Sequence, residues 1–95
     1  MPEDDEFKTV RVRVSGVVQG VGFRYYTHRV AVSLGLDGYV RNRSDGSVEA
    51  VAEGNAEIVD LFLEHVAKGP PGSSVRGIAV SEIPSVGYDG FDIRI

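Results

Sequence analysis

Ninety-five residues are enough for one domain with a single buried core and too few for two. Without cysteine, neither a disulfide framework nor a thiolate zinc site can form, and a reducing cytoplasm fits that usage best. A formal net charge of −4 speaks against non-specific nucleic-acid binding as the main task, and no apolar run approaches membrane-spanning length.

Residues 1–6 are acidic and lack the apolar stretch of a signal peptide, so they read as a disordered, solubilising tail before a single domain over 7–95. From Phe7 to Val14 the chain alternates, with Val10, Val12 and Val14 on one face and Arg11 and Arg13 on the other, the pattern of a half-buried strand. From Gly22 the apolar residues Phe23, Tyr26, Val30 and Leu34 recur at helical spacing, and Gly35 supplies a stop. Leu36 to Asn42 predicts a second strand, Arg43-Ser44-Asp45-Gly46 a hairpin turn, and Ser47 to Glu53 a returning strand with Glu49 and Glu53 on its wet face. Asn55 is placed to cap a second helix whose apolar stripe is Ile58, Leu61, Phe62 and Val66, ending at Lys68-Gly69-Pro70. Val75 to Ile83 predicts a fourth strand. Phe91, Ile93 and Ile95 predict a short last one, whose pairing the sequence leaves open.

This order is that of an α+β, ferredoxin-like split β-α-β sandwich, βαββαβ with a short extra C-terminal strand and two helices on one face of a mainly antiparallel sheet. A helical crossover makes strands one and two parallel, and the hairpin lets strand three fit between them. The carboxyl ends of strands one and two then share one rim, about two strand spacings (~10 Å) apart.

That rim is where the polar signals gather. Between the first strand and helix lie Gly16, Gly20 and Gly22, which let the backbone take positive φ. A glycine turn that opens a helix leaves N–H groups without partners at the positive end of the helix dipole, a natural anion site. Arg24 falls in the first turn, where its fork of donors could close over a phosphate or carboxylate. Residues 11–43 hold six arginines against the single acid Asp37, within an otherwise acidic chain. Spacing alone also fits a plain tight turn with a solvated arginine.

Gly16 to Arg24 matches the first signature of the acylphosphatases, Gly-x-Val-Gln-Gly-Val-x-Phe-Arg, at every specified position. Gly38-Tyr39-Val40-Arg41-Asn42, followed by Gly46, Val48 and Gly54, matches their second. The chain thus resembles that family over nearly its whole length. The resemblance implies hydrolysis of acyl phosphates to carboxylate and inorganic phosphate. No metal or other cofactor is expected, phosphate is expected as product and inhibitor, and the enzyme is expected to be a cytoplasmic monomer. It gives Arg24 the phosphate and Asn42 the attacking water. The phosphate cradle becomes the backbone of Gly16, Val17, Val18, Gln19, Gly20, Val21, Gly22 and Phe23. The competing reading is a non-catalytic ferredoxin-like module that senses an anion or regulates a partner. RNA binding through the open sheet lacks its aromatic signature.

Other polar residues weigh less. His28, four residues beyond Arg24, shares its side of the helix but is expected to be solvated, and His65 to lie on the surface. Tyr25 and Tyr26 read as packing residues with wet hydroxyls. No acids cluster with histidine at metal-ligand spacing, and Ser15 and Ser44 have no partners for nucleophile chemistry.

Overall fold

The alternation at the N-terminus folds as expected but runs further. The computed structural model describes residues 6–95, and there β1 spans Phe7–Val17. It is followed by α1 (Phe23–Ser33), β2 (Asp37–Asn42), β3 (Val48–Asn55), α2 (Ala56–Lys68), β4 (Ser74–Ile83) and β5 (Phe91–Arg94). Of the expected tail, residues 1–5 lie outside the described residues; the Glu6 carbonyl accepts the Ala56 N–H at 2.9 Å.

The sheet order is β4-β1-β3-β2-β5, with β3 between β1 and β2 and antiparallel to both. The open question of the last strand is answered by β5, which runs parallel to β2 along its free edge. The extension of β1 takes Ser15, Gly16 and Val17 into pairing with β4 across a bulge at Ser15/Gly16. Glycine is required there: a Cβ on Gly16 would sit 2.2 Å from the Ser74 carbonyl oxygen.

One face of the sheet carries the core. Val10, Val12 and Val14 of β1, Val40 of β2 and Val48, Ala50 and Ala52 of β3 pack under both helices. Burying each of the larger side chains contributes roughly 1.5–3 kcal/mol. Phe23, Thr27 and Ala31 are the buried residues of α1, with Val30 and Leu34 packed beside them, so the apolar stripe is centred one step from the expected one. The helix ends in a Schellman motif, with Leu36 N–H to Ala31 O at 3.0 Å, Gly35 N–H to Val32 O at 3.1 Å and Gly35 at φ 71°. In α2, Asn55 caps as predicted, its side chain accepting from the Glu57 and Ile58 N–H groups. Its buried stripe is Val59, Phe62 and Val66; Leu61, expected inside, is exposed.

The larger correction concerns β3. Glu49 and Glu53, expected on a wet face, are 4% and 2% exposed. On the second face the β3 acids are covered locally, Glu53 by the segment 84–90 and Glu49 by side chains of β2 and the hairpin, while Arg11 and Arg13 of β1 stay exposed. Glu53 accepts from Thr9 Oγ1 (2.7 Å), Ser85 Oγ (3.1 Å) and the N–H groups of Val86, Gly87 and Tyr88. Glu49 accepts from Tyr39, Arg41 and Arg43. A buried carboxylate needs such partners, since breaking a buried pair costs about 3–5 kcal/mol.

Candidate active site

After Val17 the chain leaves the sheet. Val18 turns inward at 1% exposure and plugs the core, and the next residues cross to α1. Gly20 and Gly22 sit at φ 78° and 77°, the left-handed region, with open space where a Cβ would stand. Conformation rather than room demands glycine here. Gly22 caps α1 without any side-chain hydrogen bond, and the first turn holds no acid. The amides of that turn, which have no acceptors within the helix, therefore face no competing carboxylate of their own turn.

Arg24 projects from this turn and donates from Nη1 to the carbonyl of Arg94 at 3.0 Å. A guanidinium has five N–H donors, so this bond orients the group and leaves others for an anion. Arg94 is itself held, its guanidinium carbon 3.9 Å from the centroid of the Tyr39 ring. The Tyr39 hydroxyl donates to Glu49 at 2.6 Å. Burial opposes ionisation of Glu49, but hydrogen bonds from Tyr39, Arg41 and Arg43 outweigh it and hold its pKa below the ordinary carboxylate value.

Asn42 arrives from the other side. It is the last residue of β2, paired with Val48 just before the hairpin. The hairpin is closed by Arg43 N–H to Ser47 O at 2.8 Å and by Asp45, which accepts from the Ser47 N–H and hydroxyl. Gln19 joins it to the glycine turn: its Nε2 donates to the carbonyls of Arg43 (2.7 Å) and Ser47 (2.9 Å). The turn that precedes α1 and the residue that ends β2 are thus tied by one side chain.

Together they enclose a concavity of about 190 Å³ lined by Val18, Gly20, Gly22, Phe23, Arg24, Tyr25 and Asn42. Arg24 and Asn42, eighteen positions apart in sequence, meet there. Of the expected cradle, Val18, Gly20, Gly22 and Phe23 line it. Gly16 and Val17 lie in β1, Gln19 turns its side chain to the hairpin, and Val21 packs on the core. Two participants escaped the sequence reading. Tyr25, taken as a packing residue, is 63% exposed and forms one wall. Arg94, seventy residues from Arg24, supplies the carbonyl that orients it, and no local pattern marks it. His28 lies beside Phe91, ring centroids 6.1 Å apart, and outside this lining. Tyr26 packs edge-on to Phe23, and its hydroxyl donates to the carbonyl of exposed His65. Among the described residues no group of three or more histidines and acids could hold a metal ion. No described helix is long and apolar enough to cross a membrane.

The family model "Acylphosphatase" matches residues 10–93. The chain is 52% identical over 87 residues to an acylphosphatase of Thermotoga maritima, covering 92% of this chain and 97% of that one. It is 47% identical to one of Methanocella arvoryzae, covering 92% and 99%. In structure it is similar to the acylphosphatase of Bacillus subtilis, with TM-score 0.89, 42% identity and coverage of 95% of this chain and 100% of that one. Full-length HypF contains a similar unit, with TM-score 0.87 and 29% identity over 94% of this chain and 12% of its own.

Proposed function

The chain belongs to the acylphosphatase family and is an enzyme that hydrolyses acyl phosphates; on that premise we propose that Arg24 and the Val18–Phe23 backbone hold the phosphate while Asn42 orients the attacking water. The observation that carries this reading is the convergence of Arg24, the first turn of α1 and Asn42 on one concavity of about 190 Å³.

Phosphoryl transfer asks for positioning and charge stabilisation more than for covalent chemistry. The Arg24 fork and the unpartnered amides of the first turn of α1 grip the non-bridging oxygens and take up charge as it shifts in the transition state. Asn42 offers an acceptor and donors, enough to align a water but too weak to deprotonate it. The water oxygen bonds to phosphorus, the bond from phosphorus to the acyl oxygen breaks, and its electron pair leaves on the carboxylate. An acyl phosphate dianion and water thereby give a carboxylate and dihydrogen phosphate, with both water protons on the phosphate. A carboxylate leaves readily, so no strong general acid is needed. The enzyme works as a cytoplasmic monomer in this reading, and the cysteine-free composition fits a reducing compartment.

Turnover of benzoyl phosphate after exhaustive chelation tests the reading. Undiminished activity, competitively inhibited by inorganic phosphate, is the expected result. An enzyme idle until a divalent ion is restored would remove the metal-free mechanism.

A further inference from the structure

A second concavity opens beside the first. It is about 400 Å³ and runs over the outer face of α1 between Tyr25, His28, Arg29, Val32 and Ser33. Tyr25 belongs to both, forming a wall of the phosphate-sized pocket and one end of the trough. The spacing 25, 28, 29, 32, 33 is that of one helical stripe. From Tyr25 to Ser33 it extends ~12 Å at the helical rise per residue.

Its chemistry is divided. Tyr25 and Val32, 63% and 55% exposed, offer an apolar floor on a helix face that is otherwise turned to solvent. Arg29 is exposed, and among the described residues no carboxylate is paired with it. Tyr25 is the wall that the pocket of about 190 Å³ and the trough have in common, so a long acyl chain running out of the pocket past Tyr25 would lie in the trough. In an in-line displacement the acyl oxygen also leaves on the side away from the attacking water, hence away from Asn42.

Resting on the reaction and residue roles above, we infer that this trough is the acyl subsite. The enzyme is built for extended apolar acyl phosphates carrying a second carboxylate, the acyl chain lying over Tyr25 in the direction of Val32 and the distal carboxylate meeting Arg29, which stands between them along the helix. The carboxylate and guanidinium supply a charge-assisted pair one helical turn beyond Tyr25, and the chain covers apolar surface between the two anionic groups. The concavity, its shared wall and the charge order along the helix point to one ligand: an anion at the helix N-terminus, an apolar span, and an anion at Arg29.

Three substrates separate the possibilities: acetyl phosphate, octanoyl phosphate and the monophosphoric anhydride of octanedioic acid. The wild type should show higher kcat/KM for octanoyl than for acetyl phosphate, and higher still for the octanedioic compound. Val32→Asp places a charge on the floor at an exposed helix position. It should lower kcat/KM for both long substrates by about tenfold or more. Acetyl phosphate turnover and the phosphate inhibition constant should stay within twofold. Arg29→Gln should abolish the preference for the octanedioic over the octanoyl substrate. If Val32→Asp changes all three substrates alike, or none, the trough is not the acyl subsite. A preference for the octanedioic compound that survives Arg29→Gln removes Arg29 as the carboxylate partner. Failure of the wild type on every acyl phosphate, acetyl phosphate included, would instead strike the reaction itself.

Discussion

Arg24 and Asn42 carry different demands, and substitutions at the two should separate in kinetics. Arg24→Lys keeps the charge but loses the planar fork and the geometry set by the Arg94 carbonyl. Loss of such a transition-state donor is expected to lower kcat by about 10²-fold or more, with weaker phosphate inhibition and an unchanged melting temperature. Near-normal kinetics would mean that the guanidinium is not the clamp. Asn42→Ala should lower kcat by about 10²-fold, roughly 3 kcal/mol of barrier, while the phosphate inhibition constant stays nearly constant. The competing role for Asn42 is to finish β2 before the hairpin. A lower melting temperature with normal turnover per folded molecule would assign it that role alone.

At the scale of elements, the site is a junction between the turn that opens α1 and the β2–β3 hairpin, and Gln19 is the tie. Its two hydrogen bonds end on carbonyls that also accept hairpin N–H groups, so these carbonyls keep a partner when Gln19 is removed. Gln19→Ala should therefore cost only about 1–2 kcal/mol of stability. The kinetic effect should be larger, a fall in kcat of about tenfold to a hundredfold as the cradle and Asn42 lose their mutual placement. Titration calorimetry with inorganic phosphate should show a smaller change than kcat does. If stability falls and kcat does not, Gln19 only braces the hairpin.

For the molecule as a whole, the second face of the sheet decides acid stability. Burial opposes the Glu53 carboxylate, yet hydrogen bonds from Thr9, the N–H groups of Val86 and Tyr88, and Ser85 bring its pKa from 4.5 down to about 2. A folded pKa below the unfolded one means stability that is present above the unfolded value. It is lost as pH falls from about 4.5 towards 2. The linkage amounts to about 3 kcal/mol. Glu53→Gln should destabilise the protein at neutral pH and flatten the fall in stability across that window, as chemical denaturation at several pH values would show. An unaltered pH profile would mean that Glu53 is not the acid-labile clamp. The clamp also bears on the site, because the segment it holds leads into β5 and so to the carbonyl that orients Arg24.

Local pattern determined much of this protein. The alternation of Val10, Val12 and Val14, the Asn55 cap, the Gly35 stop and the Asp45-Gly46 turn each state their own geometry through short-range sterics and hydrogen bonding. Their order then fixes strand three between strands one and two. The same logic brought Arg24 and Asn42 to one rim, where they meet. Tertiary structure alone decided what depends on distant segments. The alternation put Glu49 and Glu53 on the face away from the helices, but it carries no information about the 84–90 segment and the side chains of β2 and the hairpin that cover these two carboxylates. Val51, between them on that face and 1% exposed, was the one local hint. The parallel pairing of β5, the hold of Arg94 on Arg24 and the place of Tyr25 in two concavities have the same origin. Each is a contact whose partners are set by packing, and packing energy is summed over neighbours in space rather than along the chain.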